Sequence, residues 1–130
     1  MDIKSIFGNI NKDFISSKAE ELKDKDFSKV IDEAEKIQKM ASKEGPLQKF
    51  LNDIRLLLAM VRDYSTGAYR DIPIKSIAAI AFTLLYVLNP IDLIPDFIPG
   101  IGQIDDAAVV ALCLKMVHDD IKKYKDTRTL

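Results

Sequence analysis

Apolar residues recur at three- and four-residue intervals along most of this chain, and nowhere do they alternate with the period of two that a half-buried strand requires. Ile3, Ile6, Phe7, Ile10, Phe14 and Ile15 form the first series; Gly8, Asn9 and Asn11 weaken it, which suits a helix that forms on docking. The second series is Phe27, Val30, Ile31, Ala34, Ile37 and Met40, preceded by Asp26 as a good N-cap residue and closed by Gly45 and Pro46. With Pro46 at the first helical position, Leu47, Phe50, Leu51, Ile54, Leu57, Leu58 and Val61 line one face of a third helix, which Gly67 ends.

Two later segments differ in kind. From Ile77 to Leu88, and from Ala107 to Leu114 within a longer helix reaching about Tyr124, apolar residues surround the helix instead of forming a stripe. Such helices are buried, in a protein core or in a bilayer. The expected architecture is therefore all-α: a compact bundle of about five helices with a proline-rich apolar connector between the last two. The tail from Lys125 to Leu130 is expected to fray.

That connector carries Pro90, Pro95, Pro99, Gly100 and Gly102 among Ile91, Leu93, Ile94, Phe97, Ile98, Ile101 and Ile104. Each proline biases its predecessor away from helix, so the stretch should fold into short turns whose side chains plug the bundle. It also holds Asp92, Asp96, Asp105 and Asp106, with no lysine, arginine or histidine between Asn89 and Asp106. Capping explains them most simply: Asn89 as N-cap, Pro90 at N1 and Asp92 at N3 resemble a capping box, and Asp105 and Asp106 suit the positive first turn of the next helix, each role being worth ~1 kcal/mol. The sharper alternative is that the four carboxylates converge on a divalent cation such as calcium or magnesium, although the spacing is not that of an EF-hand.

Composition narrows the classes. A chain of 130 residues makes one domain; 48% hydrophobic and 30% charged residues are ordinary, and 19 basic residues nearly balance 20 acidic ones. No net field would draw it to nucleic acid, which is not an expected partner. The single cysteine, Cys113, rules out an internal disulfide or a Cys-based zinc site and reads as a small core residue. Met1 to Phe14 has no continuous apolar run or small-residue cleavage site, so the expectation is a cytoplasmic protein without a secretory signal, with membrane association as the alternative.

The stretch from Tyr86 through Asn89, Pro90, Asp92, Pro95, Asp96, Phe97, Pro99, Gly100, Gly102, Asp105 and Asp106 to Ala107 resembles the signature of the YkvA-like family, a bacterial domain of unknown function (DUF1232 type) also found in a RING-type ubiquitin ligase of eukaryotic membranes. With the flanking residues Asp63 to Pro73 the resemblance extends from about Asp63 to Tyr124; Gln103 departs from it, where an aromatic is common. It implies a fold and a motif but no activity. Residues 46–130 are then the YkvA-like helical domain, and 1–45 supply amino-terminal amphipathic helices that pack on or flank it within one structural unit.

Membrane context requires a test of length. A span needs ~20 largely apolar residues, whereas Ile77 to Leu88 supplies twelve and Ala107 to Leu114 eight before Lys115. A membrane-inserted hairpin is thereby disfavoured, and shallow association stays open. If the last three helices run up, down and up, the motif acids cluster at one pole. Arg62, Arg70, Lys122, Lys123 and Lys125 fall toward the other with Asp71, Asp119, Asp120 and Asp126. Arg70 then cannot reach Asp92 across ~22 Å of helix, and Lys49 and Arg55 are better placed.

Catalytic equipment is thin. His118 reads as a solvated residue near the end of the last helix, Ser65 and Ser76 have no evident base, and Tyr64, Tyr69, Tyr86 and Tyr124 interleave with apolar positions as packing residues. The reading is a non-enzymatic interaction module whose partner is a protein or a membrane surface; the alternatives are a divalent-cation-binding or metal-dependent hydrolytic site formed by Asp92, Asp96, Asp105 and Asp106, with no other cofactor, and a membrane-inserted hairpin.

Overall fold

The computed structural model describes residues 15–16, 19–43, 46–88 and 106–128, and every regular element among them is a helix. These are α1 (Asp24–Asp32), α2 (Ala34–Ser42), a 3₁₀ turn (Pro46–Phe50), α3 (Leu51–Thr66), α4 (Ile74–Leu88), α5 (Asp106–Met116) and α6 (His118–Arg128). The chain is an all-α bundle. Two of the divisions are kinks within one helical path. The Glu33 N–H donates to the Lys29 carbonyl and the Ile37 N–H to the Glu33 carbonyl, so the i to i−4 ladder runs from α1 into α2. The same ladder joins α5 to α6, through Val117 to Cys113 and Ile121 to Val117.

Local sequence explains the ends. The second predicted helix starts earlier than expected: Lys23 occupies the N-cap, and Asp26 lies three residues on, where its carboxylate accepts the Lys23 N–H at 2.7 Å. Asp26 thus closes the turn from inside, and with Asp24 it opposes the positive end of the helix dipole. Gly67 ends α3 as expected. It adopts φ 87°, which a side chain would strain, and its N–H bonds to the Tyr64 carbonyl.

The bundle is organised around α4, which packs against α1, α2, α3 and α5. Ile77, Ile80, Ala81, Leu84, Leu85 and Val87 join the main core, with Val30, Ile37 and Ala41 from α1 and α2, Ile54, Leu57, Met60 and Val61 from α3, and Val110 and Cys113 from α5. Ala79, Phe82 and Tyr86, at helical spacing on the opposite stripe, form a second cluster with Ile15, Ala19 and Val109. Two cores on opposite sides of one helix explain why its sequence is apolar all round. Thr83, the buried polar residue of this helix, turns its hydroxyl back onto the Ala79 carbonyl at 2.9 Å, leaving no unsatisfied donor.

The Ala107–Leu114 segment differs from expectation. Val109, Val110 and Cys113 are buried, but Ala111 is exposed and Ala108, Leu112 and Leu114 are half-buried. Ala107 is buried with Val109, Val110 and Cys113, so α5 contributes to both cores but is enclosed less completely than α4. Its Cys113 thiol lies 3.8 Å from the Ala79 carbonyl, and burial pushes the thiol pKa up to about 11, partly offset by a hydrogen bond with Thr83.

The last helix is fastened by a polar clasp. Tyr124, fully buried, donates its hydroxyl to Asp63 Oδ2 at 2.5 Å and packs edge-on against Tyr69, with ring centroids 5.0 Å apart at 71°. The Tyr69 N–H returns to the Asp63 carbonyl at 3.0 Å, tying the loop after α3 into the same clasp. The Tyr69 hydroxyl is buried with no hydrogen-bond partner among the described residues.

Tyr124→Phe should lower unfolding free energy by about 1–2 kcal/mol in urea titrations, since a bond to a carboxylate is lost at a partly solvated site. Combined with Asp63→Asn the loss should be less than additive, and strict additivity would mean that the two side chains are not coupled. Tyr69→Phe should be neutral or slightly stabilising in the same titration, because it removes a buried donor that has no acceptor among the described residues. Cys113 should resist thiol reagents at mildly alkaline pH until denaturant is added; rapid labelling of the native chain would place it outside the core.

Candidate functional site

Asn89, Pro90, Asp92, Pro95, Asp96, Phe97, Pro99, Gly100, Gly102 and Asp105 lie outside the described residues, as do the capping and cation roles read for them. Asp106 begins α5, and its backbone alone is described. The two cations expected nearest to Asp92 have local contacts of their own: Lys49 Nζ sits 5.2 Å over the Phe50 ring, and Arg55 Nε donates to Gln38 Oε1 at 3.3 Å. Among the described residues no group of three His, Cys, Asp or Glu side chains could hold a metal ion.

Polar groups instead converge where the loop between α3 and α4 meets α6. Ser76, in the first turn of α4, donates its hydroxyl to Asp120 Oδ2 at 2.6 Å. Lys123 Nζ lies 2.8 Å from Asp71 Oδ2, and that hydrogen bond and charge raise the lysine above its usual value. Both groups of this pair are more than half exposed, so it orients the loop more than it stabilises the fold. Arg70 turns back to the end of α3, where its Nε donates to the Tyr64 carbonyl at 3.1 Å and its guanidinium lies 5.4 Å from the Tyr64 ring centroid. A cation at the carbonyl end of a helix meets the negative end of its dipole.

This arrangement holds two elements together. A serine hydroxyl bonded to a carboxylate lacks the imidazole that would take its proton near neutral pH, so the Ser76–Asp120 pair acts as a tether. His118 is exposed, as a solvated residue should be, and stands at the first position of α6, within the joined α5–α6 path and not near its carboxyl-terminal end. Asp119, Lys122, Lys123, Asp126 and Thr127 line an open depression of about 400 Å³ whose mixed charges select neither anion nor cation.

The sequence pattern pointed to the polar residues of this pole as a group, but not to their pairings. It gave no sign of Ile74. This first residue of α4 is 69% exposed, between exposed Pro73 and exposed Lys75. It precedes the buried stretch by one turn, and only the direction of the loop decides that it points outward.

The chain matches the family described as protein of unknown function (DUF1232) over residues 76–112, a stretch that takes in most of α4 and α5. It is also similar to the uncharacterized membrane protein YkvA of Bacillus subtilis (strain 168): 33% identity over 81 residues, covering 62% of this chain and 76% of the relative. No solved structure matches it. The long motif around Asn89 to Asp106, the helices on either side of it and the coverage of that relative together place this chain in the DUF1232 family of YkvA-like proteins.

Proposed function

We propose that this chain is a non-enzymatic helical module that works at a membrane surface, attached through exposed parts of the bundle and not through a spanning helix. The observation that carries this reading is the enclosure of α4. It is the most apolar helix described, yet α1, α2, α3 and α5 already cover it, leaving no lipid-facing side from Ala79 to Val87. Its 15 residues rise ~22 Å, short of a hydrocarbon core of ~30 Å. Among the described residues no helix is long and apolar enough to cross a membrane. The related protein is nevertheless named a membrane protein, and peripheral attachment reconciles the two facts. On its sequence alone, we assign the acidic, proline-rich segment with Asp96 and Phe97, which lies outside the described residues, to contact with a protein partner.

Fractionation of cells expressing the full chain tests this. The protein should sediment with membranes and be released by alkaline carbonate. Recovery in the soluble fraction from the outset would overturn the membrane reading. Retention through the carbonate wash would replace peripheral attachment with insertion.

A further inference from the structure

We infer that the corner where the α3–α4 loop enters α4 is the lipid contact of this bundle, with Ile74 inserting into the interface of an anionic bilayer and Arg70 and Lys75 meeting the phosphate groups around it. The inference rests on the membrane reading above and adds to it a place and a lipid chemistry.

Ile74 stands out because large apolar side chains elsewhere in the described helices are buried or half-buried, whereas this one is 69% exposed. It projects from a rigid support: the N–H groups of Ser76 and Ile77 bond to the Pro73 carbonyl, and Ile72, two residues earlier, is buried in the main core. A single apolar side chain held at a fixed corner can enter the headgroup region without any change in the bundle.

Two exposed cations, Arg70 and Lys75, flank Ile74 in sequence. Of the acids at this end, Asp71 is paired with Lys123, while Asp120 and Asp63 accept hydroxyl hydrogen bonds from Ser76 and Tyr124 and keep their charge. Arg70 and Lys75 are exposed and have no carboxylate partner among the described residues, and Lys122 on α6 is likewise exposed. Asp119 and Asp126 on α6 oppose them as well, so the positive excess at this end is small, and Arg70 and Lys75 carry it where they flank Ile74. Basic side chains beside a protruding aliphatic one are the combination that anionic leaflets attract, the charges giving approach and the side chain giving retention.

The test uses purified full-length chain and vesicles of phosphatidylcholine with or without phosphatidylglycerol. The wild type should float with the vesicles containing phosphatidylglycerol. Ile74→Ser should lower its partitioning about tenfold, the order expected for losing burial of one aliphatic side chain, with an unchanged melting temperature. Lys75→Ala should weaken binding to the anionic vesicles alone. The chain contains no tryptophan, so Ile74→Trp places a sole reporter at the corner. Its emission should shift to the blue on vesicle binding and be quenched by brominated acyl chains. Wild type and Ile74→Ser binding equally well, with no shift in the emission of the Ile74→Trp variant, would overturn the inference while leaving the membrane reading in place. Binding to neither vesicle would overturn both, and equal binding to both would overturn the role of Arg70 and Lys75.

Discussion

The structure depends on one constraint: α4 is apolar on every side, so every side must be covered. A helix of this kind in water requires neighbours around its whole circumference, and the chain supplies them from both directions of sequence. α1, α2 and α3 enclose the stripe holding Ile77, Ile80 and Leu84, while Ile15, Ala19 and Val109 enclose the stripe holding Phe82 and Tyr86. The amphipathic stripes of the earlier helices have their counterpart here. Each presents one apolar face because α4 needs only one from each.

Once the middle of α4 is enclosed, the contacts that vary in character are at its ends. At the amino-terminal end, polar pairs do what packing does elsewhere: Ser76 with Asp120, Asp71 with Lys123, and Asp63 with Tyr124 bring α6 against the loop after α3. Only the last of these has a fully buried member, and it is the one expected to contribute measurably to stability. The half-buried Ser76–Asp120 pair and the exposed Asp71–Lys123 pair set the direction of the loop. That direction leaves Ile74 in solvent and so connects the folding of the core to the surface chemistry proposed for the membrane.

Periodicity carried most of the fold, because a helix writes its buried face into residues three and four apart. The third helix and its Gly67 end were legible for this reason, as was the burial of the Ile77–Leu88 stretch, but Pro46 opens a 3₁₀ turn and the α-helix itself begins at Leu51. Hydropathy misled at Ala107–Leu114, where Ala111 is exposed and Ala108, Leu112 and Leu114 are half-buried. N-cap preference misled at Asp26, because the same carboxylate can close a turn from its first or its fourth position. Pairings were illegible in principle: Ser76 and Asp120 are 44 positions apart, and Tyr124 and Asp63 are 61 apart, so only the packed bundle brings them together. Exposure of Ile74 was hidden likewise, since it turns on the direction of the loop and not on the periodicity of the helix.

The central claim is that α4 is the core of a bundle stable in water and not one arm of a hairpin stable in lipid. Native-state hydrogen exchange on detergent-free protein tests it most directly. The account predicts that amides from Ile77 to Val87 exchange slowest in the chain, through global unfolding, and that detergent does not slow them further. Fast exchange of these amides in buffer, slowed only when detergent or lipid is added, would contradict it.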